Sequence, residues 1–212
     1  ASRKVIGVDM CLNSLKLAEN FREKNRLDNA SFYQMNLFQP IFPEKTFDLV
    51  ICQGVLHHTS NPYLGFQSIA KLLKPGGDII IGLYNWYGRL ITDFRRMFFK
   101  LTGDKFKSLD PRLRMEDRGI SKRDSWFNDQ YKHPHESKHT IGEVLKWFDE
   151  NNFSFINGIP KVKPFSPISI DEKLFKPNLR GKFYHHILSQ FGTIIPGYRE
   201  GGLFIMIGRK DA

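Results

Sequence analysis

Over its first 84 residues the chain alternates short β-branched runs with stretches whose apolar residues recur every three or four positions. That alternation belongs to strands buried on both faces and joined by helical crossovers. KVIGVD (4–9) predicts a buried strand, and Asn13 or Ser14 can cap a helix running to about Asn25 with Leu15, Ala18 and Phe21 inward. SFYQM (31–35) predicts the next strand. The two prolines of LFQPIFPEK forbid a regular ladder before FDLVIC (47–52), the clearest strand of the chain. Pro62 then opens a helix over 62–73 that buries Leu64, Ile69, Leu72 and Leu73, KPGG stops it, and DIIIGLY (78–84) is a fully apolar strand.

From Asn85 the pattern loses its strand alternation and becomes aromatic and basic, as expected of an insertion. GRLITDFRRMFFKL (88–101) places Leu90, Phe94, Met97, Phe98 and Leu101 on one helical face and Arg89, Arg96 and Lys100 on another. Two uses fit such a helix: a lid packed over the sheet, or an element laid on a membrane surface or an RNA. Thr140 can cap a helix over about 141–150 with Val144, Leu145, Trp147 and Phe148 apolar, and FSFING (153–158) predicts a strand. A second insertion, about 160–200, holds one short helical pattern, GKFYHHILSQF, before the final strand GLFIMIGR (202–209). The expectation is one elaborated α/β domain over 1–212 with insertions at about 85–137 and 160–200 forming a lid or cap.

Composition narrows the class. A chain of 212 residues, 41% hydrophobic and 25% charged, can bury one sizeable core. No apolar run approaches the ~20 residues needed to span a bilayer, which points to a cytoplasmic location. Cys52 sits inside an apolar strand, so no disulfide is expected between it and Cys11. The net charge of +10 is uneven: residues 1–84 carry 9 basic against 7 acidic side chains, and the remainder 23 against 15. Such an excess suits nucleic acid, anionic lipid, an acidic substrate or simply a solvated surface.

The stretch FDLVICQGVLHHTSNPYLGFQSIAKLLKPGGDIIIGLYN resembles class I S-adenosylmethionine-dependent methyltransferases of the type 11/12, quinone-biosynthesis-like group. A strand opening FD, a loop ending LHH, a proline-started helix and LKPGG before a strand form a specific order. The resemblance covers roughly 4–84, 138–158 and 202–209. It implies a Rossmann-like, mostly parallel sheet with a final antiparallel strand, S-adenosyl-L-methionine as cofactor, and methyl transfer to a small-molecule or lipid acceptor. RNA is a less favoured acceptor, and peripheral membrane contact is open. A dinucleotide-dependent oxidoreductase shares an acid at the end of the second strand, but not the LHH and LKPGG elements. A non-catalytic methyltransferase-like scaffold is the competing reading.

The resemblance also assigns residues. Asp9, ending its strand, would accept the cofactor's ribose hydroxyls, although an acid there could instead cap the next helix. Asn36 and Leu37 stand where the family commonly places an acid facing the adenine amino group; a turn-forming role for Asn36 is the alternative. Gln53 and Gly54 leave FDLVIC at the ligand side of the sheet, and His58, beside His57, would line the pocket or support its loop. One element departs from the pattern: no E-x-G-x-G-x-G loop and first strand precede VIGVD. The expectation is therefore a sheet lacking that strand, with a hydrophobic slot and unpaired ladder groups between VIGVD and FDLVIC, and a cofactor bound by the intact protein.

On the acceptor side, DQYKHPHESKHT (129–140) gathers His133, His135 and Glu136, each able to take a proton from an oxygen or nitrogen acceptor. The spacing of His133, His135 and His139 also suits zinc, but no cysteine or second clear carboxylate joins them and no metal is assigned. A polar wall shaping the pocket without chemistry is the third option.

Overall fold

The computed structural model describes residues 4–106, 110, 124, 127–128, 130–132, 135–166, 173–194 and 202–212. VIGVD forms β1 (Val5–Asp9), which pairs in parallel with β2 (Ala30–Gln34) through the crossover helix α1 (Leu12–Lys24). The helix begins from Cys11, two or three residues earlier than an Asn13 or Ser14 cap would place it. Asp9 Oδ1 accepts the Cys11 N–H at 2.7 Å and turns the chain there. Leu15 and Ala18 are half-buried, as their spacing requires, but Phe21 is exposed. A sheet two strands wide gives α1 too little surface to cover that ring.

The second sheet has the order β3-β4-β6-β5, with β3 (Phe47–Gln53), β4 (Leu73–Tyr84), β5 (Phe153–Ile159) and β6 (Leu203–Lys210). β3 and β4 run parallel, and β6 is antiparallel to both β4 and β5. The sheet is thus the mostly parallel one expected, with the last strand reversed.

Between β3 and β4 lies α2 (Pro62–Ala70), whose first turn is closed by Asn61 Oδ1 accepting the Leu64 N–H at 3.0 Å. The helix ends at Ala70, sooner than the pattern suggested, and KPGG is not its stop. Pairing jumps from Phe47–Leu73 to Leu49–Asp78, so Lys74–Gly77 bulges out of β4 itself, helped by Gly76 at φ +76°. The rotation of α2 also differs: Leu64 points to solvent and Phe66 takes the core position.

One face of this sheet holds the main core. Leu56, Phe66, Ile79, Ile81, Val144, Leu145, Trp147 and Phe148 pack between the strands, α2 and α4 (Ile141–Glu150). Phe66 sits 5.7 to 5.9 Å, ring centre to ring centre, from Trp147, Phe148 and Phe153. The α4 start is the expected one: Thr140 Oγ1 accepts the Glu143 N–H and the Glu143 carboxylate accepts the Thr140 N–H. The other face carries only a small cluster of Ile80, Ile156 and Ile207.

Two helices stand outside this layer, α3 (Leu90–Thr102) and α5 (Phe183–Phe191). In α3 the expected sides are exchanged. Thr92 and Phe99 are buried, while Phe94, Met97, Phe98 and Leu101 face solvent.

Among the described residues no strand pairs with both β1 and β3, and the two sheets share no ladder. The facing edges enclose a cavity of about 360 Å³ lined by Ile6 and Val8 on one side and Leu49, Ile51 and Gln53 on the other. This is the slot anticipated from the sequence. Among the described residues no helix is long and apolar enough to cross a membrane.

Candidate active site at the carboxyl edge

Parallel strands bring their carboxyl ends to one edge, and in open α/β sheets ligands bind there. The ends of β1 and β2 are tied by Met35 N–H donating to Asp9 O at 3.1 Å and by Gln34 Nε2 donating to Met10 O at 2.9 Å. Asp9 is exposed there. Its Oδ1 is engaged with the Cys11 N–H, and among the described residues its Oδ2 has no hydrogen-bond partner. Asn36 forms a turn: its Oδ1 accepts the Phe38 N–H at 3.0 Å, and its carbonyl accepts the Gln39 N–H. Leu37 is half-buried and joins Gln53 at the wall of the slot. Gly54 leaves β3 at φ +72°, a conformation that strains any other residue.

Beyond Gly54 the LHH segment forms a single 3-10 turn, Leu56–His58, that packs under the end of β4. His57 is fully buried, 4.0 Å from the Tyr84 ring and 4.3 Å from the His58 ring. The segment 135–140 closes over this turn. Ser137 N–H donates to His57 O at 2.8 Å, His58 Nδ1 lies 3.1 Å from His135 O, and His139 N–H donates to Tyr84 O at 2.8 Å. His139 is buried beside Trp147, its ring between Glu143 Oε1 at 2.9 Å and Ser137 Oγ at 2.8 Å. His135 is exposed, whereas His133 and Asp129 lie outside the described residues. Among the described residues no His, Cys, Asp and Glu are grouped to hold a metal.

Glu136 occupies a different environment from His135. Its carboxylate accepts from Arg89 Nε at 3.0 Å and Nη2 at 2.5 Å, and from Arg96 Nη2 at 2.9 Å. Burial pushes this carboxyl up, but the bonded Arg89 guanidinium, joined by Arg96, outweighs burial and holds it below the usual carboxylate range. Arg89 is 0% exposed; it also donates to Gln130 Oε1 at 2.8 Å and lies 4.0 Å over the Tyr84 ring. This pairing is the part of the site that sequence reasoning missed. Arg89 reads as the solvent side of an amphipathic helix, and its partner lies 47 residues away, beyond any local signal.

Asp9 fits the ribose of an adenosine: a carboxylate with a free oxygen at the end of a parallel strand. Leu37 and the slot wall fit the flat apolar face of a base. The described residues contain no glycine-rich loop for the methionine end.

A sheet with parallel β3 and β4, a reversed final strand and helical crossovers has the Rossmann-like architecture of class I methyltransferases. The model of the methyltransferase domain family matches residues 1–151, and the chain belongs to that family, whose cofactor is S-adenosylmethionine. It is 26% identical over 177 residues, 73% of this chain and 42% of the relative, to an uncharacterised protein of Synechococcus. It is 33% identical over 86 residues, 38% of this chain and 36% of the relative, to a ubiquinone biosynthesis O-methyltransferase of Glaesserella parasuis. These matches span 42% and 36% of the lengths of the curated relatives. Among solved structures, PKMT2 from Rickettsia typhi in complex with AdoHcy superposes with a TM-score of 0.66 at 11% identity, covering 97% of this chain and 43% of that one.

Proposed function

We propose that this chain forms the cofactor edge and the acceptor roof of an enzyme that transfers a methyl group from S-adenosylmethionine to a small-molecule or lipid acceptor. The observation that carries the reading is the exposed Asp9 carboxylate at the carboxyl end of β1; the 135–140 segment covers the LHH turn that follows β3 and the carboxyl end of β4. The ubiquinone-biosynthesis relative supports an acceptor of small-molecule or lipid type.

The cofactor supplies an activated methyl on a sulfonium, so the protein's task is to align donor and acceptor rather than to provide a nucleophile. Asp9 takes the ribose hydroxyls through Oδ2. Leu37 faces the base, and the Gln53–Gly54 backbone borders it. Asn36 shapes the turn that presents Leu37, because its amide oxygen already accepts from Phe38. His58 holds the roof to the LHH turn through His135 O, and the exposed His135 side chain is the group proposed to take the acceptor's proton, with His133 a second candidate on the sequence alone. Glu136 orients that roof: a carboxylate clamped by two guanidiniums is a poor proton acceptor at neutral pH.

Calorimetry with S-adenosylmethionine tests the cofactor edge. Asp9→Ala should weaken binding by about 1.5–3 kcal/mol, the scale of a hydrogen bond to a charged group. Unchanged affinity in that variant removes Asp9 from the site. With an acceptor in hand, His135→Ala should lower turnover by roughly two to four orders of magnitude at unchanged cofactor affinity. A raised KM alone would make His135 a wall.

A further inference from the structure

We propose that the outward face of α3 is a docking surface for an anionic lipid bilayer, on which the helix lies parallel to the membrane plane. The argument rests on side-chain placement and is independent of methyl transfer. Phe94, Met97, Phe98 and Leu101 recur at helical spacing and are 66, 55, 43 and 79% exposed, forming one apolar stripe. Phe106 extends it past the helix end, its ring 6.0 Å from that of Phe98.

The stripe cannot be relieved by rolling the helix inward. Arg89 and Arg96 are bound to Glu136 on the opposite side, Asp93 is bound to Lys138, and Phe99 is wedged against Phe127 and Tyr131. The polar side of α3 is therefore the anchored one. An amphipathic helix whose apolar side is held outward matches an apolar phase, not water.

Charge selects the occupant. Arg89 to Phe106 carries five basic and two acidic residues. Both acids are already paired, Asp93 with Lys138 and Asp104 with Lys132. Lys100 and Lys105 are exposed beside the stripe and have no ion pair among the described residues. An apolar stripe edged by lysines, on a chain of net charge +10, complements a headgroup layer of negative potential. A second copy would set the same lysines against each other. A nucleic acid would need the arginines that Glu136 holds inside.

The test is flotation of the 212-residue chain with phosphatidylcholine vesicles containing about 30% phosphatidylglycerol, against vesicles of phosphatidylcholine alone. The chain should float with the anionic vesicles and not with the neutral ones, and raised salt should weaken binding. Leu101→Glu should lower the bound fraction on the order of tenfold, the worth of one leucine side chain moved into hydrocarbon. Lys100→Glu with Lys105→Glu should abolish the preference for anionic vesicles. Both variants change exposed positions and should melt like the parent by circular dichroism. Equal flotation with both vesicle types, or full binding by Leu101→Glu, would overturn the proposal. So would a dimer in sedimentation equilibrium, or binding to a polyuridylate RNA, that Leu101→Glu removes.

Discussion

Removing the Glu136 carboxylate should destabilise this protein more than any other single change at the candidate site. The Arg89–Glu136 pair is taken out of water on both sides, at 0% and 2% side-chain exposure, so solvent screens it little. In Glu136→Ala the Arg89 guanidinium stays buried beside Gln130 and the Tyr84 ring but loses the Glu136 counter-charge. Breaking such a pair from one side costs about 3–5 kcal/mol, much of it the penalty for the stranded charge. Against a net stability of about 5–15 kcal/mol, that loss leaves a marginal fold. Glu136→Gln, which keeps an acceptor, should lose about 1.5–3 kcal/mol. Arg89→Met with Glu136→Leu, removing both charges, should recover much of the alanine loss. Urea unfolding followed by tryptophan fluorescence reads all of these, with an unchanged slope showing that the unfolded state is the same.

The pH dependence of this loss has a definite sign. Glu136 has a folded pKa below its unfolded value, so its contribution is fully present above an unfolded pKa of ~4.3 and is lost as pH falls through the folded value. The stability gap between the parent and Glu136→Gln should thus shrink on acidification below about pH 4. A gap under about 1 kcal/mol at neutral pH would refute the buried-pair argument, because exposed pairs have that worth. Full stability with turnover lowered by orders of magnitude would instead restore Glu136 as the base.

Thr140→Ala should cost about 1 kcal/mol in the same urea assay, since it removes one half of the box that starts α4. Thr140→Ser should retain most of that. The two cysteines should label at different rates with iodoacetamide: Cys11 is exposed and lowered by the Ser14 groups in the first turn of α1, whereas burial pushes the Cys52 thiol up to about 11. Mass spectrometry should find Cys11 modified first and Cys52 only on unfolding; equal rates would mean that β3 opens readily at the edge of the slot.

The linear pattern of the chain determined the elements that depend on neighbours in sequence. Continuous β-branched runs favour strands, so VIGVD, FDLVIC and DIIIGLY were legible as elements, although only DIIIGLY is buried as expected and VIGVD is largely exposed beside the slot, and Thr140 with Glu143 announced its helix through a local hydrogen-bonding exchange. The slot between β1 and β3 was legible too, because the strand and E-x-G-x-G-x-G loop that the resemblance implies beside VIGVD have no counterpart in the pattern. The resemblance proposed Asp9, Leu37 and Gln53 for the cofactor edge, and the structure places Asp9 and Gln53 at the carboxyl ends of β1 and β3. What the sequence left open was rotation and long-range pairing. KPGG reads as a helix stop, and only the pairing of Asp78 with Leu49 makes it a bulge. The apolar stripe of α3 reads as an inward face, since hydrophobic burial is the default. Which side of that helix turned inward was decided by Glu136, supplied from far along the chain, whose carboxylate needed the Arg89 and Arg96 guanidiniums once it left water. A buried charge must be matched wherever its partner lies in sequence, and that requirement is met only in three dimensions.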